Sequence, residues 1–307
     1  PHSRQARYHD QNVLPCDVLI VDEVSMIDMW LMRDLVRAVS TGTRVIFVGD
    51  PNQLPSIGPG AVLRDIIASQ AIPVGYLSTN HRQKQGSHIV NFASDILKGQ
   101  TIGRYAKDVV FESIQDPVAI QARVTELMTQ VIPDKCRCSV SDIQVLSPQH
   151  KGTVGIDLLN RSLSAEFRPQ EHVNDAWVVG DRVIQMRNNY QKDVVNGDIG
   201  LIERIESGEV MVRFDDRLVT YTLSETVELS LAYAISVHKF QGSEAPIIIL
   251  PIVSAHSHML TKDILYTAVT RAKHMVVVLG QLDMIRSIVE RRSPIHRLTQ
   301  LGALLAK

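Results

Sequence analysis

Two adjacent acids, Asp22 and Glu23, close the apolar run Val18-Leu-Ile-Val21 and lead into Val24-Ser-Met26. An uninterrupted apolar run suits a parallel strand buried on both faces. In open α/β sheets, ligands bind beyond the carboxyl ends of such strands. Paired carboxylates there can take separate roles, one helping to hold Mg²⁺ and the other positioning or deprotonating a water. A solvated acidic turn has the same composition, so the pair alone decides nothing. Four further polar clusters follow in the chain: Gly49-Asp-Pro-Asn-Gln53, Asn80-His-Arg-Gln83, His238-Lys-Phe-Gln-Gly-Ser-Glu244 and Tyr266-Thr-Ala-Val-Thr-Arg271. Arginines such as Arg82 and Arg271 can grip phosphate oxygens through two parallel N–H donors.

The elements that must carry these clusters alternate between strand and helix. A strand over 17–22 precedes a helix starting near Ser25, with Ile27, Leu31, Leu35 and Val39 as its buried stripe and Thr41-Gly42 as its stop. Arg44–Val48 reads as a second buried strand. The segment 51–60 is too rich in Pro and Gly for regular structure. A helix over 61–68 and a short strand over 73–77 come next. Ser87 caps a helix whose apolar face is Ile89, Phe92, Ala93, Ile96 and Leu97, ended by Gly99. Asp116-Pro117 opens another helix, running to Val131, followed by a polar loop over 133–141. A strand over 143–146 ends at the turn 147–152, before a helix carrying Ile156, Leu159, Leu163 and Phe167.

From about 178 to 228 the pattern changes to short alternating strands with no helix between them. Asn196-Gly197 and Ser207-Gly208 mark hairpins. This predicts a small antiparallel barrel inserted into an α/β domain. The α/β pattern then resumes with strands 246–250 and 275–279, a helix over 262–273 between them, and a last helix over 282–291.

Composition narrows the class. The chain has 307 residues, 45% of them apolar, with a formal net charge of −1. It can therefore build a sizeable core, and any polyanion site must be a local groove, because there is no global positive field. No run of about 18 apolar residues occurs, so no membrane span is predicted. The three cysteines, Cys16, Cys136 and Cys138, form no disulfide framework, which points to a reducing, cytoplasmic setting. Cys136-Arg-Cys138 lacks a second ligand pair at zinc spacing. His256 and His258 read as loop residues, and Asn160-Arg-Ser162 as a chance glycosylation pattern.

Taken in order, the five clusters resemble motifs II to VI of superfamily 1 helicases, and the RecD-like branch in particular. In that branch motif II reads Asp-Glu-x-Ser-Met, motif III Gly-Asp-x-x-Gln-Leu-Pro-Ser-x-Gly, motif V His-Lys-x-Gln-Gly-Ser-Glu and motif VI Tyr-Thr-Ala-x-Thr-Arg-Ala. The resemblance covers nearly the whole chain. It implies two RecA-like parallel-sheet α/β motor domains, the first truncated (1–78) and the second (79–307) carrying an inserted Src-homology-3-type barrel. It implies ATP and Mg²⁺ as cofactors, with single-stranded and duplex DNA as partners. By resemblance, Asp22 holds Mg²⁺, Glu23 is the catalytic base, and Gln53, beside Asp50, senses the γ-phosphate. Arg82 and Arg271 reach that phosphate from the second domain. Glu244 contacts the ribose, with Gln241 and Gly242 shaping its loop. Pro55, Ser56, His150, Lys151, His238, Lys239 and Thr267 are the DNA candidates. A 5′-to-3′ direction and roles in DNA repair and recombination, alone or within a larger nuclease complex, follow from resemblance only.

One family element has no counterpart. No Gly-x-x-x-x-Gly-Lys-[Ser/Thr] phosphate loop occurs in these 307 residues. That absence predicts a C-terminal portion of a helicase with little ATPase activity of its own. Two other readings stay open: a catalytically silent nucleic-acid-binding module with a helicase fold, and the helicase domain of a conjugative relaxase.

Overall fold

The computed structural model describes the chain except residues 1–6, 78–81, 84–85, 101–104, 106–107, 169–174, 257–258, 291–296, 298 and 307. The chain divides into two compact units, Pro1–Asn80 with Arg292–Lys307, and His81–Arg291. The C-terminal segment thus returns to the first unit, whereas the sequence pattern assigns it to the second.

In the first unit, β1 (Val18–Val21) and β2 (Arg44–Phe47) pair in parallel, with Val18 opposite Arg44 and Val21 opposite Phe47. Burial alternates along both strands instead of being continuous; Val18 and Ile20 are exposed on one face of this two-stranded sheet. The expected helix from Ser25 begins later. Val24–Met26 makes one 3-10 turn, Ile27 is extended, and Asp28 caps α1 (Met29–Arg37) by accepting from Leu31 N. The core stripe shifts accordingly. Val24, Ile27 and Met32 are buried with Val62, Leu63 and Ile66 of α2 (Val62–Ser69), while Leu31 is exposed. No strand forms over 73–77. Pro73 lacks a donor and Gly75 weakens strand propensity, and Val74, Tyr76 and Leu77 are exposed.

The second unit holds a five-stranded parallel sheet in the order β10-β4-β11-β12-β3. Its strands are β3 (Val109–Glu112), β4 (Ile143–Ser147), β10 (Ala234–Ser236), β11 (Ala245–Ile252) and β12 (Ala272–Gly280). The central strands are apolar because both faces are covered: Ile248, Ile249, Leu250 and Val276 are each 0% exposed, and each such side chain contributes roughly 1.5–3 kcal/mol. Around the sheet lie α3 (His88–Lys98), α4 (Pro117–Glu126), α6 (Ile156–Phe167), α7 (Lys262–Thr270) and α8 (Leu282–Glu290). Ser87 caps α3 and Gly99 ends it in a left-handed conformation. The Asp116 carboxylate accepts from Val118 N and Ala119 N at the start of α4. Helical structure then runs past 131, through a π-helical turn (Leu127–Val131) into α5 (Ile132–Cys136), so the expected loop over 133–141 begins only at Arg137.

Between α6 and β10 sits the antiparallel insert, in the order β8-β7-β6-β5-β9. It comprises β5 (Arg182–Gln185), β6 (Ile199–Glu206), β7 (Glu209–Phe214), β8 (Arg217–Thr222) and β9 (Leu229–Leu231). The sheet curls around its own core of Val183, Ile202, Val210, Val212, Phe214 and Tyr221. Ser207-Gly208 is the β6–β7 hairpin, with both residues at positive φ as such a turn demands. Asn196-Gly197 instead ends a longer loop into β6, and Asp215-Asp216 makes the β7–β8 turn. Asn160 is buried in α6, donating to Leu231 O and Ala234 O and accepting from Ala234 N, which removes it from consideration as a glycan acceptor.

Candidate active site

The parallel register of β1 and β2 fixes the first group of candidate residues. Val48 N donates to Val21 O at 2.8 Å and Val24 N to Val48 O at 3.0 Å, so the backbones bearing Asp22-Glu23 and Gly49-Asp50 are stitched side by side. Gly49 is needed for this approach: a Cβ there would lie 3.1 Å from Val24 N and 3.0 Å from a Leu63 methyl. Asp22 Oδ1 accepts from Glu23 N at 2.7 Å, and Glu23 stands at φ 51, ψ 40. A non-glycine residue held in the left-handed region is uncommon and clusters at functional sites. Asp50 folds the next turn, its carboxylate accepting from Asn52 N and its carbonyl from Gln53 N. Gln53 is buried at 9% exposure. Its Oε1 and the buried Ser25 Oγ have no hydrogen-bond partner among the described residues, and both residues line one small cavity with Ile27, Pro51, Pro55 and Ser56.

The second group gathers in the second unit. Arg82, Glu244, Arg271 and Lys273 come from three segments far apart in sequence. Arg82 Nε pairs with Glu244 Oε2 at 3.0 Å, and Arg82 Nη1 donates to Thr270 O at 2.8 Å. Lys273 Nζ pairs with Glu244 Oε1, and the buried Gln83 donates to Ala272 O. The hydrogen bond from Lys273, with the Arg82 charge beside it, holds the Glu244 carboxyl below its usual pKa against the opposing effect of burial. Arg271 is the largest fully buried side chain among the described residues, with Nη1 donating to Ser243 O at 3.3 Å. Gln241 and Gly242 form the turn before β11, Gly242 at φ 76. Lys273 is absent from the sequence-derived set. It lies two residues past the Tyr266–Arg271 cluster, at a position that only the fold brings back to Glu244.

The DNA candidates separate. His150, on the loop after β4, and Lys239, on the turn after β10, line one open groove with Asp157, Arg161, Trp177 and Met186. Trp177, which the sequence reading does not single out because no periodic element marks its position, lines this groove as an isolated Trp at the entry to the barrel. Lys151 and His238 are exposed; close neighbours around His238 lower its pKa by desolvation, which favours the neutral ring. Thr267, expected beside DNA, is 0% exposed within α7 and presents no surface to a strand in this conformation. The helix rotation that buries Ile264 and Ala268 also turns Thr267 inward. Ser56 is likewise buried, while Ile57 next to it is 88% exposed.

Comparison with known proteins bears on the same segments. An AAA domain model matches residues 2–115, the SH3 domain of ATP-dependent RecD-like DNA helicases matches 159–214, and a UvrD-like helicase C-terminal domain matches 231–279. A crystal structure of the Pif1 helicase from Bacteroides, in complex with ADP-AlF3 and ssDNA, superposes with a TM-score of 0.58 at 19% identity, covering 91% of this chain and 75% of that one. Parallel α/β motor sheets, a curled insert and these matches define a superfamily 1 helicase core. The ATP-dependent RecD2 DNA helicase of Deinococcus radiodurans is 35% identical over 271 residues, which is 87% of this chain and 37% of that protein. The RecBCD enzyme subunit RecD of Mycolicibacterium smegmatis is 30% identical over 313 residues, covering 95% and 55%. The chain belongs to the RecD-like helicases, and spans 37% and 55% of the length of these two relatives.

Proposed function

We propose that this chain supplies part of the motor of an ATP-dependent DNA helicase that moves 5′ to 3′ along single-stranded DNA and unwinds duplex. The left-handed backbone of Glu23, at φ 51 directly beyond a parallel strand, carries the reading. That conformation costs of order 1–3 kcal/mol and persists where surrounding contacts enforce it. Here those contacts are the Asp22 carboxylate on Glu23 N and the Val48 carbonyl on Val24 N.

The residues present fit Mg²⁺ arriving with ATP. No cluster of three or more His, Cys, Asp or Glu that could hold a metal occurs among the described residues. Mg²⁺ in nucleotide sites needs only one or two carboxylates, its other ligands being phosphate oxygens and water. Asp22, exposed at the strand end, meets that requirement. The bound ion would neutralise phosphate charge. Glu23 would orient and deprotonate the attacking water, and Gln53, with its buried Oε1 unpaired among the described residues, would register the γ-phosphate. Arg82 and Arg271 would donate to that phosphate, and an arginine in this role is worth about 10³–10⁵ in rate. Glu244 would contact the ribose. His150, Lys151, His238, Lys239 and the segment after Gln53 would follow the DNA strand.

Glu23→Gln in the full-length gene product tests the assignment. DNA-stimulated ATP hydrolysis should vanish while fluorescent-nucleotide binding persists. Turnover close to that of the unsubstituted protein would remove Glu23 from the role of base. The 307 residues alone, without a phosphate loop, should show little ATP turnover; robust DNA-stimulated hydrolysis by this polypeptide would overturn that expectation.

A further inference from the structure

One guanidinium of the C-terminal segment gathers the carbonyls of the Ser56–Gly60 loop. Arg297 Nη1 donates to Gly58 O at 2.6 Å and Gly60 O at 2.7 Å, and reaches Ser56 Oγ at 3.4 Å. Its Nη2 donates to Ser56 O at 2.5 Å. Every acceptor lies within the five residues Ser56–Gly60. Two residues further on, Thr299 Oγ1 donates to Asp65 Oδ2 at 2.9 Å, and Leu301 and Leu305 of α9 (Leu301–Leu305) pack on the core beside α2. The loop's other side is fixed by α1: Met29 N donates to Pro59 O at 2.9 Å. Gly58 passes so close to the cap of α1 that a Cβ would stand 1.9 Å from Asp28 Oδ2. Ile57 points out, at 88% exposure.

A loop built from Pro and Gly has no ladder to satisfy its carbonyls. A guanidinium offers several donors in one rigid fork, which can gather carbonyls that point at a common centre. Ordering such a loop before it meets a ligand removes the entropic cost of ordering it on binding. We propose that Arg297 is a positioning residue for single-stranded DNA, holding the Pro55–Gly60 loop so that Pro55 and Ile57 present a fixed surface to the strand. This rests on the reading above that the segment after Gln53 contacts DNA. Arg297, outside every helicase cluster recognised in the sequence, thereby serves DNA binding from the C-terminal segment, while Thr299 only ties that segment to α2.

The test compares Arg297→Ala, Arg297→Lys, Thr299→Ala and Ile57→Asp in the full-length gene product. Hydrogen exchange reports on the loop, and anisotropy titration of a labelled oligothymidine reports on binding. Arg297→Ala should speed exchange across Ser56–Gly60 and weaken oligothymidine binding by about tenfold, with KM for ATP in the absence of DNA unchanged. Arg297→Lys should recover part of both losses. Thr299→Ala, which loosens the strap without touching the loop, should leave both readouts as they are. Unchanged loop exchange in Arg297→Ala overturns the proposal, as does an equal defect in Thr299→Ala. Faster exchange without loss of binding also overturns it, and Ile57→Asp then identifies the fault. If Ile57→Asp weakens binding, the loop does meet DNA and only the role of Arg297 fails; if it does not, the DNA reading of the loop fails with it.

Discussion

Glu244 shows how the fold changes the meaning of a single side chain. Its sequence context suggests a ribose contact, yet its carboxylate is held between Lys273 and Arg82. Because the folded pKa lies below the ordinary 4.5, the pairing is in place at any pH above that value. Its contribution to stability fades only as pH falls through the lowered folded pKa. The hydrogen bond from Lys273 is the largest cause of the shift, so Lys273→Met should move the carboxyl back toward 4.5. A ¹³C titration of the Glu244 side-chain carboxyl measures this directly, and an unmoved midpoint would assign the shift to Arg82. Arg82 donates to Thr270 O as well as pairing with Glu244, and Arg271 is packed against Ser243 O. For either guanidinium to act on a phosphate, these contacts must be exchanged for phosphate oxygens. In the proposed roles, both arginines would leave these contacts when they reach the phosphate, and the Arg82–Glu244 pair would open.

At the scale of elements, the groove between the loop after β4 and the start of the insert gathers cationic, aromatic and thioether side chains, which single strands use for backbone and base contacts. Trp177→Ala should weaken oligothymidine binding by roughly 1–3 kcal/mol, the usual worth of one base stacked on an aromatic ring. Trp177 also packs partly against the insert's core, so Trp177→Phe serves as the control: it should keep most of the binding. Equal affinity for all three proteins would show that the groove carries no base. Strands and helices with strong periodicity were legible in the sequence. Both β11 and β12 stand out as apolar runs, and Ser87, Gly99 and Asp116 mark helix ends by their chemistry alone. What was not legible depends on distant partners. Four-residue β3 has no flanking turn signal and exists by pairing with β12. The five-residue α9 is too short to hold by propensity and forms by packing on α2. Asp22, Gln53, Arg82 and Arg271 are candidates by motif order, whereas Lys273, Trp177 and Arg297 become candidates only in the fold, where tertiary placement gives them their neighbours.

For the molecule as a whole, the insert and the parallel sheet are separable by construction. The insert has its own core, and its entry and exit strands are neighbours: Val183 lies opposite Leu231 and Ile184 opposite Ser230 in an antiparallel pair, while Ala232 N donates to Arg182 O at 2.8 Å. Both ends are anchored to α6. At entry, Asp181 accepts from Ser164 and from Arg168, the latter at 2.6 Å; at exit, Asn160 holds Leu231 O and Ala234. Replacing the residues between Ile184 and Ser230 with Asn-Gly would close those strands as a two-residue hairpin without disturbing the anchors. The parallel sheet, with Val145, Ile248 and Val277 packed among its own helices, loses no core residue by that deletion. The full-length gene product lacking the insert should therefore keep its thermal unfolding midpoint and most of its ATP turnover. Strand displacement on a forked duplex should fall by about tenfold or more, equivalent to ~1.4 kcal/mol of lost coupling, because one wall of the His150–Trp177–Lys239 groove goes with the insert. If ATP turnover and unwinding fall together, the insert supports the motor fold itself, and the groove is not a separate DNA-handling surface.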